Sequence, residues 1–270
     1  MTLTFKQKIQ NMFFPLGSIQ RIWAGYLKGY KIRITENSDW SPLLGGWEPG
    51  MQKIMVNVIQ PGQVAYDLGA NSGLHGMLMA RLVGDKGWVF NFEPLAENVQ
   101  EIGENFAFNG ISNFTTVQAA VSERTGTDYF TVTGHHKQGA LVEDGAAVED
   151  KIEVKTITID QFIAEGNPGP AFIKMDIEGA EGAALRGFSA CIDKFQPLMI
   201  IELHNPRQDA EVGQFLKAHR YSAYRFEPFK RLTFSEVKDF DKGHPHPDGI
   251  WGSIFCLPPG KKLDQYMFQK

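Results

Sequence analysis

From residue 64 onward, short apolar runs alternate with stretches in which apolar side chains return every three or four positions. This is the pattern of parallel strands joined by crossover helices. "VAYDLGA" (64–70) predicts the first strand, and the helix after it, from about Ser72, sets Leu74, Met77, Leu78 and Leu82 on one face before Gly84 ends it. "WVFNFEP" (88–94) predicts the second strand. Pro94 opens its helix, Leu95, Val99, Ile102 and Phe106 form the buried stripe, and Asn109-Gly110 stops it. "FTTVQAAVS" (114–122) reads as the third strand.

The period then changes. "DYFTVTG" and "KIEVKTITID" alternate with a period of two around a Gly-, His- and acid-rich stretch, which predicts a β-hairpin inserted over about 126–158. Asp160 is expected to cap the short helix "QFIAEG". "AFIKMDI" and "PLMIIELH" are apolar enough to be the fourth and fifth, central strands; Asn205-Pro206 opens a helix with Val212, Phe215 and Leu216 inward. "YSAYRFE" and "WGSIFCLP" supply two last strands. Seven strands in this order predict a doubly wound α/β sheet over 61–270, preceded by an extension of helix and strand over 1–60. Ligands of such sheets lie beyond the carboxyl ends of the strands.

Composition narrows the picture. A chain of 270 residues, 43% hydrophobic, is long enough for one sizeable core, and a net charge of −4 argues against a general nucleic-acid binder. Cys191 and Cys256 stand far apart, so neither a disulfide framework nor a zinc knuckle is expected, and a reducing cytoplasm is the expected setting. No apolar run approaches the roughly 18 residues of a membrane span. The first 35 residues carry Lys6, Lys8, Arg21, Lys28, Lys31 and Arg33 interleaved with Phe13, Phe14, Trp23 and Tyr26. They are read as a helical cap with a solvated basic face, or as a weak contact with an anionic surface. Oligomeric state stays open.

Two stretches carry chemistry. "YDLGANSG" places Asp67 at a strand end, Gly69 and Gly73 in the turn, and Asn71 where a dinucleotide loop has its second glycine. Asp67 and Asn71 offer acceptors to an ammonium, and Glu93, at the end of the second strand, is placed to accept the hydroxyls of a ribose. Such a loop and acid suit S-adenosylmethionine. In "FIKMDIEGAEG" and "PLMIIELH", Asp176 pairs by strand parity with Glu178, and Glu202 with His204, so four polar groups meet at the rim of an apolar sheet. His204 is the expected general base, Asp176 holds it or touches the sulfonium side of the cofactor, and Glu181 serves the first turn of the next helix. The same four side chains form a plausible divalent-ion set, although no metal is expected. "GHHKQ" (134–138) and "HPHPDG" (244–249) are read as solvated loops, and Phe229, Lys230, Arg231, Phe234 and His244 as part of an acceptor pocket.

"YDLGANSG", "FNFEPLAENV", "NFTTVQAAVS", "TITIDQF", "FIKMDIEGAEGAALRGF" and "PLMIIELH" together resemble the successive motifs of the FkbM-type family of S-adenosylmethionine-dependent methyltransferases, in order from about Gly62 to His204. The resemblance implies a seven-stranded Rossmann-like methyltransferase sheet. It also implies that Asp67, Gly69, Ala70, Asn71 and Gly73 line the methionine end of the cofactor, that Glu93 takes the ribose, and that Ala120 and Val121 border the adenine. Where many relatives carry aromatics after Gly73, this chain has Leu74 and His75. The activity implied is O-methylation of a hydroxyl on a sugar, glycolipid or secondary metabolite, with a small-molecule or glycan partner; His204, Asp176 and Glu178 are the residues that strand parity places at the reacting centre. An NAD-dependent Rossmann oxidoreductase and a noncatalytic binding module on the same fold are the competing readings.

Overall fold

The computed structural model describes residues 13–35, 41–133, 138–141, 151–204 and 206–266. In chain order the first elements are β1 (Ile19–Arg21), β2 (Lys31–Arg33), α1 (Pro49–Val58), β3 (Val64–Leu68), α2 (Leu74–Val83), β4 (Trp88–Phe92), α3 (Ala96–Phe108), β5 (Phe114–Val117) and β6 (Ala120–Val121). Then come β7 (Gly126–Thr133), β8 (Gln138–Leu141), β9 (Lys151–Ile157), α4 (Ile159–Ala164), β10 (Phe172–Met175), α5 (Glu181–Arg186) and α6 (Ile192–Phe195). The chain closes with β11 (Leu198–Leu203), α7 (Pro206–Ala218), β12 (Ser222–Phe226), β13 (Ser235–Glu236) and β14 (Gly252–Leu257).

Eight strands form the main sheet in the order β13-β12-β14-β11-β10-β3-β4-β5. The five from β11 to β5 are parallel, and β14 reverses direction between β11 and β12. The chain leaves β3 toward β4 and β5 and returns on its other side with β10 and β11. The direction of winding therefore switches between β3 and β10, and the crevice opens at their carboxyl ends. The two-residue β13, on the edge, adds an eighth strand to the seven expected.

Both faces of the sheet are buried, which is why its central strands are mainly apolar. On one side Tyr66, Phe90, Phe92 and Phe162 pack ring against ring at 5.1–5.8 Å, with Ile192, Val212 and Leu216 alongside. On the other side α1 and α2 join Ile22, Leu27, Ile32 and Leu43 of the N-terminal segment. That covering explains one departure from the sequence: His75, Gly76, Met79, Ala80 and Val83 are buried along with Leu74, Met77 and Leu78, while the expected Leu82 is only half-buried.

Other expectations shift for local reasons. The third strand divides at Gln118-Ala119, so β5 stays in the main sheet while β6 leaves it to pair with β9. The insertion is more than a hairpin: β7 and β9 are its antiparallel pair, flanked by β8 and β6 in a four-stranded sheet. Thr158, not Asp160, caps α4, because its hydroxyl accepts from Gln161 N at 3.0 Å. Asp160 instead accepts from Ala190 N and Cys191 N, both at 2.9 Å. Pro94 precedes α3 rather than opening it, since Leu95 is the extended N-cap residue. Lys6, Lys8, residues 134–137 of "GHHKQ" and Asn205 lie outside the described residues. Cys191 and Cys256 are free. Among the described residues no helix is long and apolar enough to cross a membrane.

Candidate active site

The loop after β3 is held by the end of β4: Gly69 N and Ala70 N both donate to Phe92 O, at 3.0 and 3.1 Å. Gly69, with φ +79°, rests against the end of β10, where a Cβ would stand 1.9 Å from the carbonyl oxygen of Asp176. The glycine is thus required by backbone meeting backbone. Gly69→Ala is expected to destabilise the protein by about 3 kcal/mol, roughly 10 °C in Tm, through overpacking and a strained φ. A melting temperature unchanged within two degrees would show that the loop seats elsewhere.

Beneath the loop, Glu93 is buried and fastened. Its Oε2 accepts from Asn71 N at 2.9 Å, and its Oε1 accepts from Leu95 N at 3.0 Å and Asn98 Nδ2 at 3.2 Å. Burial pushes this carboxyl up to about 7 against the pull of those donors. A carboxylate offers about four acceptor positions, so three donors leave room for one more at Oε2. Ala120 packs with Leu95, two residues beyond Glu93, and Val121 belongs to the core on the Phe162 side of the sheet.

At the end of β10 the structure gathers Asp176, Glu178, Glu202 and His204. His204 Nε2 is 2.8 Å from Asp176 Oδ1, and His204 Nδ1 is 3.8 Å from Glu178 Oε2. The route to Glu178 is not strand parity, because β10 stops at Met175. Glu178 turns in the left-handed region, φ 55°, and Gly179 follows at φ 100°. Glu181 is fully buried at the start of α5 and accepts from Gly179 N at 3.1 Å, which fixes this turn.

Lys174 is a site group that no motif singles out. It lies 3% exposed in the middle of β10, with Nζ 3.3 Å from Gly69 O, 3.4 Å from Asp176 Oδ2 and 3.6 Å from Asp67 Oδ1. It therefore joins the glycine loop to the carboxylate that faces His204. The signal was a lysine inside an apolar central strand, a place where charge persists only with partners. Burial works against its charge, but Asp176, Asp67, Glu48 and Glu202 outweigh it and raise its pKa. Asp67 is completely buried with Lys174 Nζ 3.6 Å from Oδ1, and burial pushes its carboxyl up to about 6 against the pull of Lys174 and the Gly76 amide.

Asp176 is pushed up by burial but held well below the usual carboxylate range by Lys174 and then His204. His204 in turn is raised to about 9, first by its hydrogen bond to Asp176, against burial, and then by the charges of Asp176, Glu178 and Glu202. In the chain by itself the imidazole is cationic at neutral pH.

Glu48 also belongs here. It precedes α1 in a left-handed conformation, φ 39° and ψ 56°, and burial raises its carboxyl to about 8 while the Lys174 charge opposes. His75 Nε2 stands 3.2 Å from Glu48 Oε2, close but not aligned for a hydrogen bond, and burial lowers His75 to about 3, leaving it neutral. In "GGWEPG" nothing separates this glutamate from an ordinary acid before a helix. The loop expected to line an acceptor pocket reaches this region through Pro228, whose carbonyl accepts from Gly50 N at 2.7 Å. Phe229 is exposed, and Phe234 packs against Tyr224 and Phe226.

Two kinds of ligand suit these groups. Single atoms of Asp176, Glu202 and His204 lie within 4.8 Å of one another, close enough for a divalent ion, although Lys174 already brings positive charge to Asp176. A ligand with a cationic amino acid end would share Asp67 with Lys174, which stands 3.6 Å from Oδ1, and the remaining acceptor position of Glu93 fits a ribose hydroxyl.

A doubly wound parallel sheet with a reversed β14 and a glycine loop at its switch point defines the Rossmann-like class of methyltransferases. The family model "Methyltransferase FkbM domain" matches residues 67–223, more than half of the chain, and the chain belongs to that family, whose methyl donor is S-adenosylmethionine. The chain is 24% identical over 215 residues to the hexuronic acid methyltransferase AglP of Haloferax volcanii, covering 76% of this chain and 84% of that one. Among solved structures, the FkbM methyltransferase of Methylobacillus flagellatus is 19% identical with a TM-score of 0.48, over 76% of this chain and half (50%) of the other. An S-adenosylmethionine-dependent O-methyltransferase of Thermotoga maritima is 17% identical with a TM-score of 0.44, over 92% of this chain and 79% of that one.

Proposed function

We propose that this methyltransferase moves the methyl group of S-adenosylmethionine to a hydroxyl oxygen of a sugar or glycan. The observation that carries the reading is the 2.8 Å contact of His204 Nε2 with Asp176 at the mouth of the crevice. A hydroxyl must lose its proton as it attacks, and an imidazole oriented by a carboxylate is suited to receive it. The hexuronic acid named for the Haloferax relative supports a sugar as acceptor.

When bound, the cofactor supplies a methyl group on a positively charged sulfur. Asp67, Gly69, Ala70, Asn71 and Gly73 would hold its amino acid end, Glu93 its ribose, and Ala120 and Val121 the edge of its base. The contribution of this chain to the chemistry is alignment and the management of one proton. Neutral His204 donates Nε2–H to Asp176 and takes the acceptor proton at Nδ1, Asp176 fixes the ring and then stabilises the imidazolium, and Glu178 stands 3.8 Å from Nδ1.

A second reading follows from the raised pKa of His204. A cationic imidazole would hold an acceptor carboxylate, and methyl transfer to that carboxylate would give an ester without any base. Asp176, Glu178 and Glu202 around the ring make it the weaker reading, because each repels an incoming carboxylate. The experiment is incubation with labelled cofactor and uronic acid-containing glycans, followed by mild alkali. A hydroxyl ether keeps its label, whereas release of the label as methanol would replace the first reading by the second.

A further inference from the structure

We propose that the outer face of the β1–β2 pair is a docking surface for an anionic lipid bilayer. Ile22 is buried against the core, so its neighbours on alternate positions, Ile19, Arg21 and Trp23, point outward. Across the pair, Arg33 stands opposite Ile19 and Lys31 opposite Arg21. Trp23 N donates to Leu43 O at 2.7 Å, which brings Leu44 beside Trp23.

Exposure is concentrated there. Of the nine large apolar side chains exposed among the described residues, five fall between Phe13 and Leu44, with Trp23 at 54% and Leu44 at 55%. Single exposed apolar residues are ordinary on a surface, but a group of this kind marks a place of contact.

Charge selects the partner. Residues 13–35 contain Arg21, Lys28, Lys31 and Arg33 and no Asp or Glu, in a chain whose net charge is −4. Glu104 answers Arg33, but among the described residues neither Arg21 nor Lys31 has an ion pair. Like charges directly opposite on antiparallel strands are destabilising, so this pair holds open a repulsion that an anionic surface would relieve. A second copy of the same face, related by a two-fold axis, would add to the repulsion. Aromatic and aliphatic side chains interleaved with cations are what the headgroup region of an anionic bilayer accommodates. Leu44 lies four residues before Glu48, which feels the charges of Lys174, Glu202, Asp176 and Asp67, so docking would hold the candidate site beside the membrane.

The test is co-sedimentation of the full chain with vesicles of phosphatidylcholine alone and of phosphatidylcholine mixed with phosphatidylglycerol. Binding is expected only with phosphatidylglycerol, and it should weaken as salt rises. The Arg21→Ser/Lys31→Ser variant should bind about 25-fold more weakly, roughly fivefold per charge. The Trp23→Ala/Leu44→Ala variant should also weaken, with circular dichroism and Tm unchanged in both. Equal binding to both vesicle types, no binding to either, or wild-type binding by the two variants would overturn the proposal. So would a dimer in sedimentation velocity that Trp23→Ala/Leu44→Ala dissociates, since the occupant would then be a second copy.

Discussion

His204→Ala lowers the rate constant for methyl transfer by about 10²–10⁴, the usual contribution of a positioned general base. Affinity for S-adenosylmethionine, measured by titration calorimetry, stays within about threefold of wild type. The prediction divides the two because His204 sits at the end of β11 against Asp176 and Glu178, whereas the groups assigned to the cofactor lie on the β3 and β4 side of the crevice. Asp176→Asn should lose nearly as much rate, for a different reason: the amide keeps the shape but no longer stabilises an imidazolium. Its effect should not add to that of His204→Ala, because the two residues act as one unit. Equal losses of binding and rate would assign Asp176 to the cofactor.

The second large effect is on stability. Lys174→Met leaves Asp67 and Asp176 without the cation they share, and breaking a buried ion pair from one side costs about 3–5 kcal/mol. Removing the charge on both sides should restore part of the loss, so Asp67→Asn/Lys174→Met is expected to melt above Lys174→Met alone. Additive losses in the double variant would mean that the two residues are not coupled across their 3.6 Å contact. Chemical denaturation with matched m-values is the appropriate measurement, since a changed slope would signal an altered unfolded state.

Much of this arrangement is legible in the sequence, and the reasons are specific. β3, β4, β10 and β11 announce themselves because a strand covered on both faces is apolar at most positions, with Asp67, Asn91, Lys174 and Glu202 as single polar exceptions, and the glycine loop follows from Gly69 and Gly73 after Asp67. The meeting of Asp176 with His204 follows from adjacent strands ending together. Other features have no one-dimensional trace. Gln118-Ala119 continues the alternation of "FTTVQAAVS" although the chain there passes from one sheet to the other. Thr158 and Asp160 are equally good caps by residue type, and only the position of Ala190 and Cys191 assigns them different work. Glu48 reaches the site from a segment outside the repeating pattern. Lys174 was visible, but its role depends on Asp67 standing beside it in the neighbouring strand, a register of Lys174 with Asp67 that pairing alone reveals.

Whether His204 removes a proton or holds an anion is decided by the pH dependence of single-turnover methyl transfer. With His204 raised to about 9, only about one imidazole in a hundred is neutral at pH 7. If neutral His204 is the base, the rate under subsaturating acceptor rises about tenfold per pH unit from 7 and levels off near 9, and His204→Gln removes that dependence. A wild-type rate that falls as pH passes through 9, or a rise that persists unchanged in His204→Gln, would contradict the assignment of His204 as the base.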